Sequence, residues 1–370
     1  MEIKEFIRLN LVYVLYIIGV FLGWNIIILY FSRMGYNYIE ISSYFLVLSL
    51  TSFIFLIFPQ NLNIKKSINY SQILRVASFF LVMEFLFKSQ IYIVAIITAL
   101  AIELFWIPYL TKAKQYESNK ERKKKIRNVI RLGSFIKAIV PFLGGLIAAK
   151  MGFFPLFLIC IFLFLLNIEG SSSLGEGNIK WNVMKALKLA KKVKTMLFLE
   201  GLWQSIPFII IPLITLRYVQ LYLPDDKQII YFGLYFSFVS TVSVLAYHIT
   251  KRIDNKDKKY YLYPLTLSLG LVTVFASLAT GYKSWIALTG IIVLTWKMSE
   301  RFTDTLIKKR TREIPNMIVI RRFFISLGRI TGTLITIFTI SIFGIHNLEF
   351  ALRLIGVIFL SYPIVLYYKR

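Results

Sequence analysis

The sequence predicts an all-α integral membrane protein, with about twelve transmembrane helices arranged as two pseudo-symmetric six-helix bundles. Hydrophobic residues make up 57% of the 370, mean hydropathy is +0.68, and the apolar residues gather into twelve runs. Most runs have the roughly 17–25 residues a helix needs to cross ~30 Å of hydrocarbon; barrel strands would be half as long and would alternate. Positive charge falls into every second gap. Of the 44 Lys and Arg, 31 share a side with the N-terminus, 6 lie in the opposite gaps and 7 lie inside runs. Lys and Arg accumulate in cytoplasmic loops because translocating them is unfavourable, so both termini are expected in the cytoplasm, in a multi-pass cell-membrane protein. The longest break divides the runs six and six.

In chain order, the first run, 9–31, is too long for a removable signal peptide and no small-residue cleavage site follows it. Runs 39–58 and 71–87 are separated by Pro59-Gln60-Asn61-Leu62-Asn63-Ile64-Lys65-Lys66. Run 91–110 leads into nine basic residues within 112–131, and 129–150 and 153–168 meet at the turn Lys150-Met151-Gly152. The break opens on Gly170-Ser171-Ser172-Ser173, expected to be flexible. It closes on a helical stretch, 184–193, with Lys185, Lys188, Lys191 and Lys192 on one side, a face suited to lipid headgroups. The organisation is therefore an N-terminal half, 1–168, a cytoplasmic linker, 169–195, and a C-terminal half, 196–370. The second half holds runs 196–219, 228–250, 260–280, 284–300, 317–343 and 347–368. Basic residues at 123–127 and 308–312 precede Val-Ile-Arg at 129–131 and 319–321, offsets of 185 and 190 residues, a trace of an internal repeat.

A net charge of +26 raises the question of nucleic acid. A chain this apolar answers it in the negative: no nucleic-acid partner is expected, and the basic loops meet membrane lipids instead. Cys160 stands alone and His248 and His346 are far apart, which leaves no disulfide and no Cys/His metal site. Asp225, Asp226, Asp254, Asp257 and Asp304 are scattered over loops on both faces, not clustered to hold a magnesium diphosphate. No nucleotide-binding Gly-x-x-x-x-Gly-Lys-Ser/Thr motif is present, so the expectation is neither an enzyme nor a cofactor-dependent pump.

Within the fifth run stand Gly133 and Val140-Pro141-Phe142-Leu143-Gly144-Gly145. Small residues let helix backbones approach closely, and a proline frees a carbonyl and bends the helix. A basic loop, an early Gly, Pro-x-x-Gly-Gly and a short turn resemble the fifth helix of the major facilitator superfamily. The resemblance covers about ten residues by motif and the whole chain by architecture. It implies a secondary transporter moving a small organic solute by alternating access, with proton-coupled export as one form. Two departures stand against a drug-exporter mechanism: the loop at 59–66 keeps only its lysines, and the fourth run lacks the arginine that proton-coupled exporters carry. A twelve-span flippase for lipid-linked glycans and a transport-inactive relative are the alternatives.

Ionisable groups within a span are costly and normally face protein or water. They are Glu103, Lys137, Glu200, Lys297, Glu300 and Arg329, read as gate or ion-pair residues, with Glu103 or Glu200 as proton carrier. Glu84, Arg75, Arg217 and Arg353 lie near enough to run ends to snorkel. The resemblance places the first, fourth, seventh and tenth helices on the solute path, and each carries a tryptophan: Trp24, Trp106, Trp203 and Trp296. Asn25 adjoins the first, and Glu200, Trp203, Gln204 and Pro207 share one helical face. Glu103, Lys137 and Lys297 fall at similar depth, which makes them candidates to close the inner mouth.

Overall fold

A computed structural model describes residues 2–58, 60–84, 87–116, 120–172, 174–189, 193–252, 258–308 and 314–368. Six helices build the first half: α1 (Glu2–Arg33), α2 (Tyr38–Ile57), α3 (Ile64–Met83), α4 (Gln90–Tyr116), α5 (Lys120–Met151) and α6 (Phe153–Ser172). Between the halves lie β2 (Asn178–Trp181) and α7 (Val183–Leu189), with β2 paired to β1 (Gln60–Asn63). The second half opens with α8 (Lys194–Ser205), a π-turn (Ile206–Ile210) and α9 (Ile211–Tyr222), which together make the seventh span. It continues through α10 (Asp225–Arg252), α11 (Lys258–Ala276), α12 (Tyr282–Lys308) and α13 (Ile314–Phe343), and ends with α14 (Leu348–Phe359) and α15 (Tyr362–Tyr368).

Among the described residues nine helical stretches are long and apolar enough to cross a membrane. The other three expected spans are α3, α11 and α12. Two of these carry polar groups that packing removes from lipid: Gln72 and Arg75 in α3 are buried, and Lys297 and Glu300 in α12 pair with each other. Local signals set the boundaries. Asn37 and Glu40 cap α2 reciprocally, Glu40 N donating to Asn37 Oδ1 at 2.9 Å and Asn37 N to Glu40 Oε2 at 2.7 Å. Gly152, at φ +92°, turns the chain between α5 and α6 in one residue, a conformation an L side chain resists. Pro207 lies inside the π-turn and Pro212 just after it; each lacks an N–H, and the widened turn is tolerated because Ile206, Ile209 and Ile210 are buried in protein.

The halves meet along two seams, α5 on α10 and α2 on α13. Each joins the corresponding spans, fifth to eighth and second to eleventh, so a pseudo-twofold relates them. Glycine permits the first seam. A methyl on Gly145 would lie 2.9 Å from the Ile229 carbonyl oxygen and 3.1 Å from Gly233 Cα. Phe142 N, next to Pro141, donates across this seam to Ser237 Oγ at 2.9 Å. Gly144 points the other way, where its added methyl would collide with the Leu22 carbonyl of α1; Gly328 in α13 abuts α8 at Leu202 in the same manner. First-to-fifth packing in one half thus repeats as seventh-to-eleventh packing in the other.

The linker differs from expectation. Ser171 and Ser172 complete α6, and Ser171 hydrogen-bonds Asn69 of α3 and the Ile168 carbonyl. Over 170–172 a helix end with the Ser171 hydroxyl satisfied replaces the expected flexible stretch, and Ser173 lies outside the described residues. Strand β2 pairs antiparallel with β1, Leu62 opposite Ile179. Trp181 is buried against Phe55. The helix after it is described over Val183–Leu189, with Val183 and Ala186 buried and Lys188 exposed. Lys191, Lys192, Asp254, Asp257 and residues 309–313 lie outside the described residues, as do the side chains of Lys185, Asp304 and the basic residues at 120–127 and 131.

Candidate functional site

A cavity of about 480 Å³ lies between the halves, on the side of the bundle that carries both termini. That volume falls within the ~300–1,000 Å³ typical of small-molecule sites. The first half contributes an aromatic wall. Tyr13 of α1 stacks on Tyr109 of α4 at 5.0 Å between centroids, and Trp106 meets Tyr13 edge-on at 6.2 Å. Ser49 and Ser52 of α2 and Glu103 of α4 add polar groups, and the second half adds Gln204 of α8, Glu300 of α12, and Arg321, Arg322, Ser326 and Arg329 of α13.

An ion-pair system joins these walls. Arg322 donates through Nε and Nη2 to both oxygens of Glu103, at 2.5 and 2.8 Å, a bidentate pair between the two halves. Glu103 is only 2% exposed. Within the second half, Arg321 donates to Glu200 at 2.6 Å and lies 3.8 Å from Glu300, which itself receives Lys297 at 2.8 Å. Gln204 bridges: its Nε2 donates to Glu200 at 3.2 Å and its Oε1 accepts from Arg329 at 2.8 Å. The Arg329 guanidinium lies over the Phe208 ring at 4.4 Å.

On the opposite face the halves are shut. Tyr38 donates to Gln220 at 2.9 Å, Gln220 to Ser32 at 2.9 Å, and Arg33 to the Asp225 carbonyl at 2.8 Å. Phe45 and Phe208, 5.0 Å apart, also join the two halves.

No protein-family model matches the chain, and no curated protein does. Solved structures match its whole length. A bacterial homologue of the human drug peptide transporters PepT1 and PepT2 aligns with a TM-score of 0.71 at 11% identity, covering 100% of this chain and 98% of that one. Nucleoside transporter NupG gives 0.68 at 11%, covering 99% and 98%. A bacterial homologue of iron transporter ferroportin in an inward-facing state gives 0.66 at 12%, covering 98% and 99%. This is the major facilitator superfamily fold.

On the major facilitator fold, the residues singled out in sequence separate into groups. Glu103, Trp106, Gln204, Glu300 and Arg329 line the cavity. Glu200 stands behind it, held by Arg321 and Gln204. Trp203 and Trp296 lie outside that wall, packed on each other at 5.1 Å in the core of the second half. Trp24 packs on Tyr44 in the first half, and the neighbouring Asn25 donates to the Phe21 carbonyl at 3.4 Å. Lys137 lies over the Phe21 ring at 5.4 Å, Lys297 turns to Glu300, and the partner of Glu103 is Arg322. Gly133, Pro141, Gly144 and Gly145 pack helices, Gly133 against Tyr13, and do not touch the cavity.

Arg321 and Arg322 were missed as site residues. Both lie within the run 317–343, and α13 begins at Ile314, so Arg322 lies about 12 Å along it. A charged pair set between Val319-Ile320 and Phe323-Phe324 was the available signal. Arg75, read as able to snorkel, is 2% exposed, donates to Tyr16 Oη at 3.1 Å and lies 5.5 Å from the Tyr16 and Trp24 ring centres. Arg217 forms an ion pair with Glu349 and donates to the Ile345 carbonyl at 3.1 Å.

Proposed function

We propose that this chain is a secondary transporter that moves a small organic solute across the cell membrane by alternating access, with both termini cytoplasmic. The observation that carries the reading is the cavity between two pseudo-symmetric halves, with its walls on both and the opposite face shut by inter-half hydrogen bonds. Rocking the halves about the α5–α10 and α2–α13 seams would exchange the closed face for the open one, and glycine contacts at Gly145 and Gly233 give a smooth surface on which to do it. Glu103–Arg322 is the contact that reports the state of the halves. A proton on Glu103 removes the charge that holds Arg322, which links a proton to the motion.

Within this reading the six-helix halves, 1–168 and 196–370, are the moving bodies and the segment between them ties the termini face. The flippase alternative calls for lipid tails to enter laterally, and the packed seams flanking the cavity favour a water-soluble solute instead.

The test needs no substrate. Cys160 is buried and is the chain's only cysteine, so introduced thiols report cleanly. Ser326→Cys should react with a membrane-impermeant thiol reagent from the termini face, and more slowly from the opposite face as the halves exchange. A short cross-linker between Tyr38→Cys and Gln220→Cys should abolish only the second reaction. Labelling of Ser326→Cys confined to one face under every condition refutes alternating access.

A further inference from the structure

The cavity is divided by chemistry as well as by half. Its wall carries Lys114, Arg321, Arg322 and Arg329 against Glu103 and Glu300. Arg322 is matched by Glu103, and Arg321 by Glu200 and Glu300. Arg329 is not matched. Among the described residues no carboxylate lies within ion-pair distance of it. It donates a hydrogen bond to the neutral Gln204, and its buried Nε has no acceptor. A guanidinium deep in a span is costly without an anion. The hydrogen bond and the Phe208 ring hold this one in place and leave donor capacity toward the cavity. Facing it across the same cavity is the Tyr13, Trp106 and Tyr109 wall, which offers ring faces and no opposing charge.

We propose that the solute is an amphipathic organic anion, its carboxylate or phosphate on Arg329 and its apolar or aromatic body against Tyr13, Trp106 and Tyr109. This rests on the transporter reading for the word solute, but not for the site. A ligand so placed would touch both halves at once, which is what makes occupancy felt by their relative position. The Glu103–Arg322 pair would remain internal to the protein, and Arg329 would supply the recognition.

The probes are 3-phenylpropionate, its isosteric amide 3-phenylpropionamide, the cation 2-phenylethylamine, and phenyl phosphate, titrated calorimetrically into the purified full-length protein in detergent. The better anion should bind the wild type roughly ten- to a hundredfold tighter than the amide, the range of a charge-assisted hydrogen bond. Arg329→Gln should remove that preference, Arg329→Lys should keep part of it, and Arg353→Gln, outside the cavity, should leave it intact. Whichever of carboxylate and phosphate binds more tightly identifies the head group. Equal or tighter binding of the amide or amine to the wild type, unchanged anion affinity in Arg329→Gln, or no anion binding at millimolar concentration would each overturn the proposal. The wild-type comparison holds even if a variant fails to fold. Counterflow of the bound probe in proteoliposomes separates the two readings. Arg329-dependent anion binding without flux in liposomes removes the transporter and leaves the site; flux of neutral solutes without that binding does the reverse.

Discussion

Cutting the Glu103–Arg322 pair from each side should give unequal losses of stability. Arg322→Gln leaves a carboxylate that is 2% exposed with its bidentate partner gone, and an uncompensated buried charge costs about 3–5 kcal/mol. Glu103→Gln leaves an arginine that is 23% exposed and borders the cavity, where water reaches it, so the cost falls to about 1–3 kcal/mol. The double variant removes both charges and sets two amides of similar shape side by side, at about 1–2 kcal/mol. The singles then exceed the double by at least about 2 kcal/mol, well beyond the ~0.3–0.5 kcal/mol within which distant sites add. Neutral hydrogen bonds between membrane helices average only ~0.6 kcal/mol in such cycles, so a value near 2 marks an ion pair. Unfolding of the four proteins in mixed SDS and non-ionic detergent measures it. Additive losses would refute the pair as an energetic link between the halves, whatever each single variant does.

Two further outcomes follow from the packing. Gly145→Leu drives a side chain into Ile229 and Gly233 backbone, 2.9 and 3.1 Å from its Cβ, and should lower stability by about 1–3 kcal/mol and slow exchange between the two open faces, read as opposite-face labelling of Ser326→Cys. Unchanged stability and labelling would mean that α5 and α10 do not touch there. Trp181→Ala should empty the contact with Phe55 and release β2 from β1, so that the linker becomes protease-sensitive while the spans hold; equal cleavage of wild type and variant would show that the strand pair is not formed in solution.

Most of the architecture was legible because its causes are local. Hydrocarbon thickness sets a run length and translocation cost sets the side of a basic loop; both are read along one dimension. Gly144 and Gly145 were legible as packing residues for the same reason, since an absent side chain lets another backbone approach closely. The spans α3 and α12, with polar residues inside them, show the limit of that logic. Where a helix is enclosed by others, as α3 is around Arg75, polar residues cost less than hydropathy assumes. Arg321 and Arg322 lie within the eleventh run, but nothing along it shows that they meet Glu200 and Glu103. The linker escaped for a different reason: four residues of β1 and four of β2 have no signature until they lie side by side.

Sequence alone determined that this chain crosses a membrane about twelve times in two repeated halves, and that ionisable residues such as Glu103, Glu200 and Arg329 lie within those spans. The tertiary structure decided who answers them. Glu103 and Arg322 are 219 residues apart and Glu200 and Arg321 are 121 apart, so no periodicity could pair them. It also decided that Trp203 and Trp296 pack on each other while Trp106 faces the cavity, although all three sit on helices of one expected kind. Hydrophobicity and charge placement act on each segment separately, whereas pairing depends on which helix faces are brought together, and that is a property of the packed bundle.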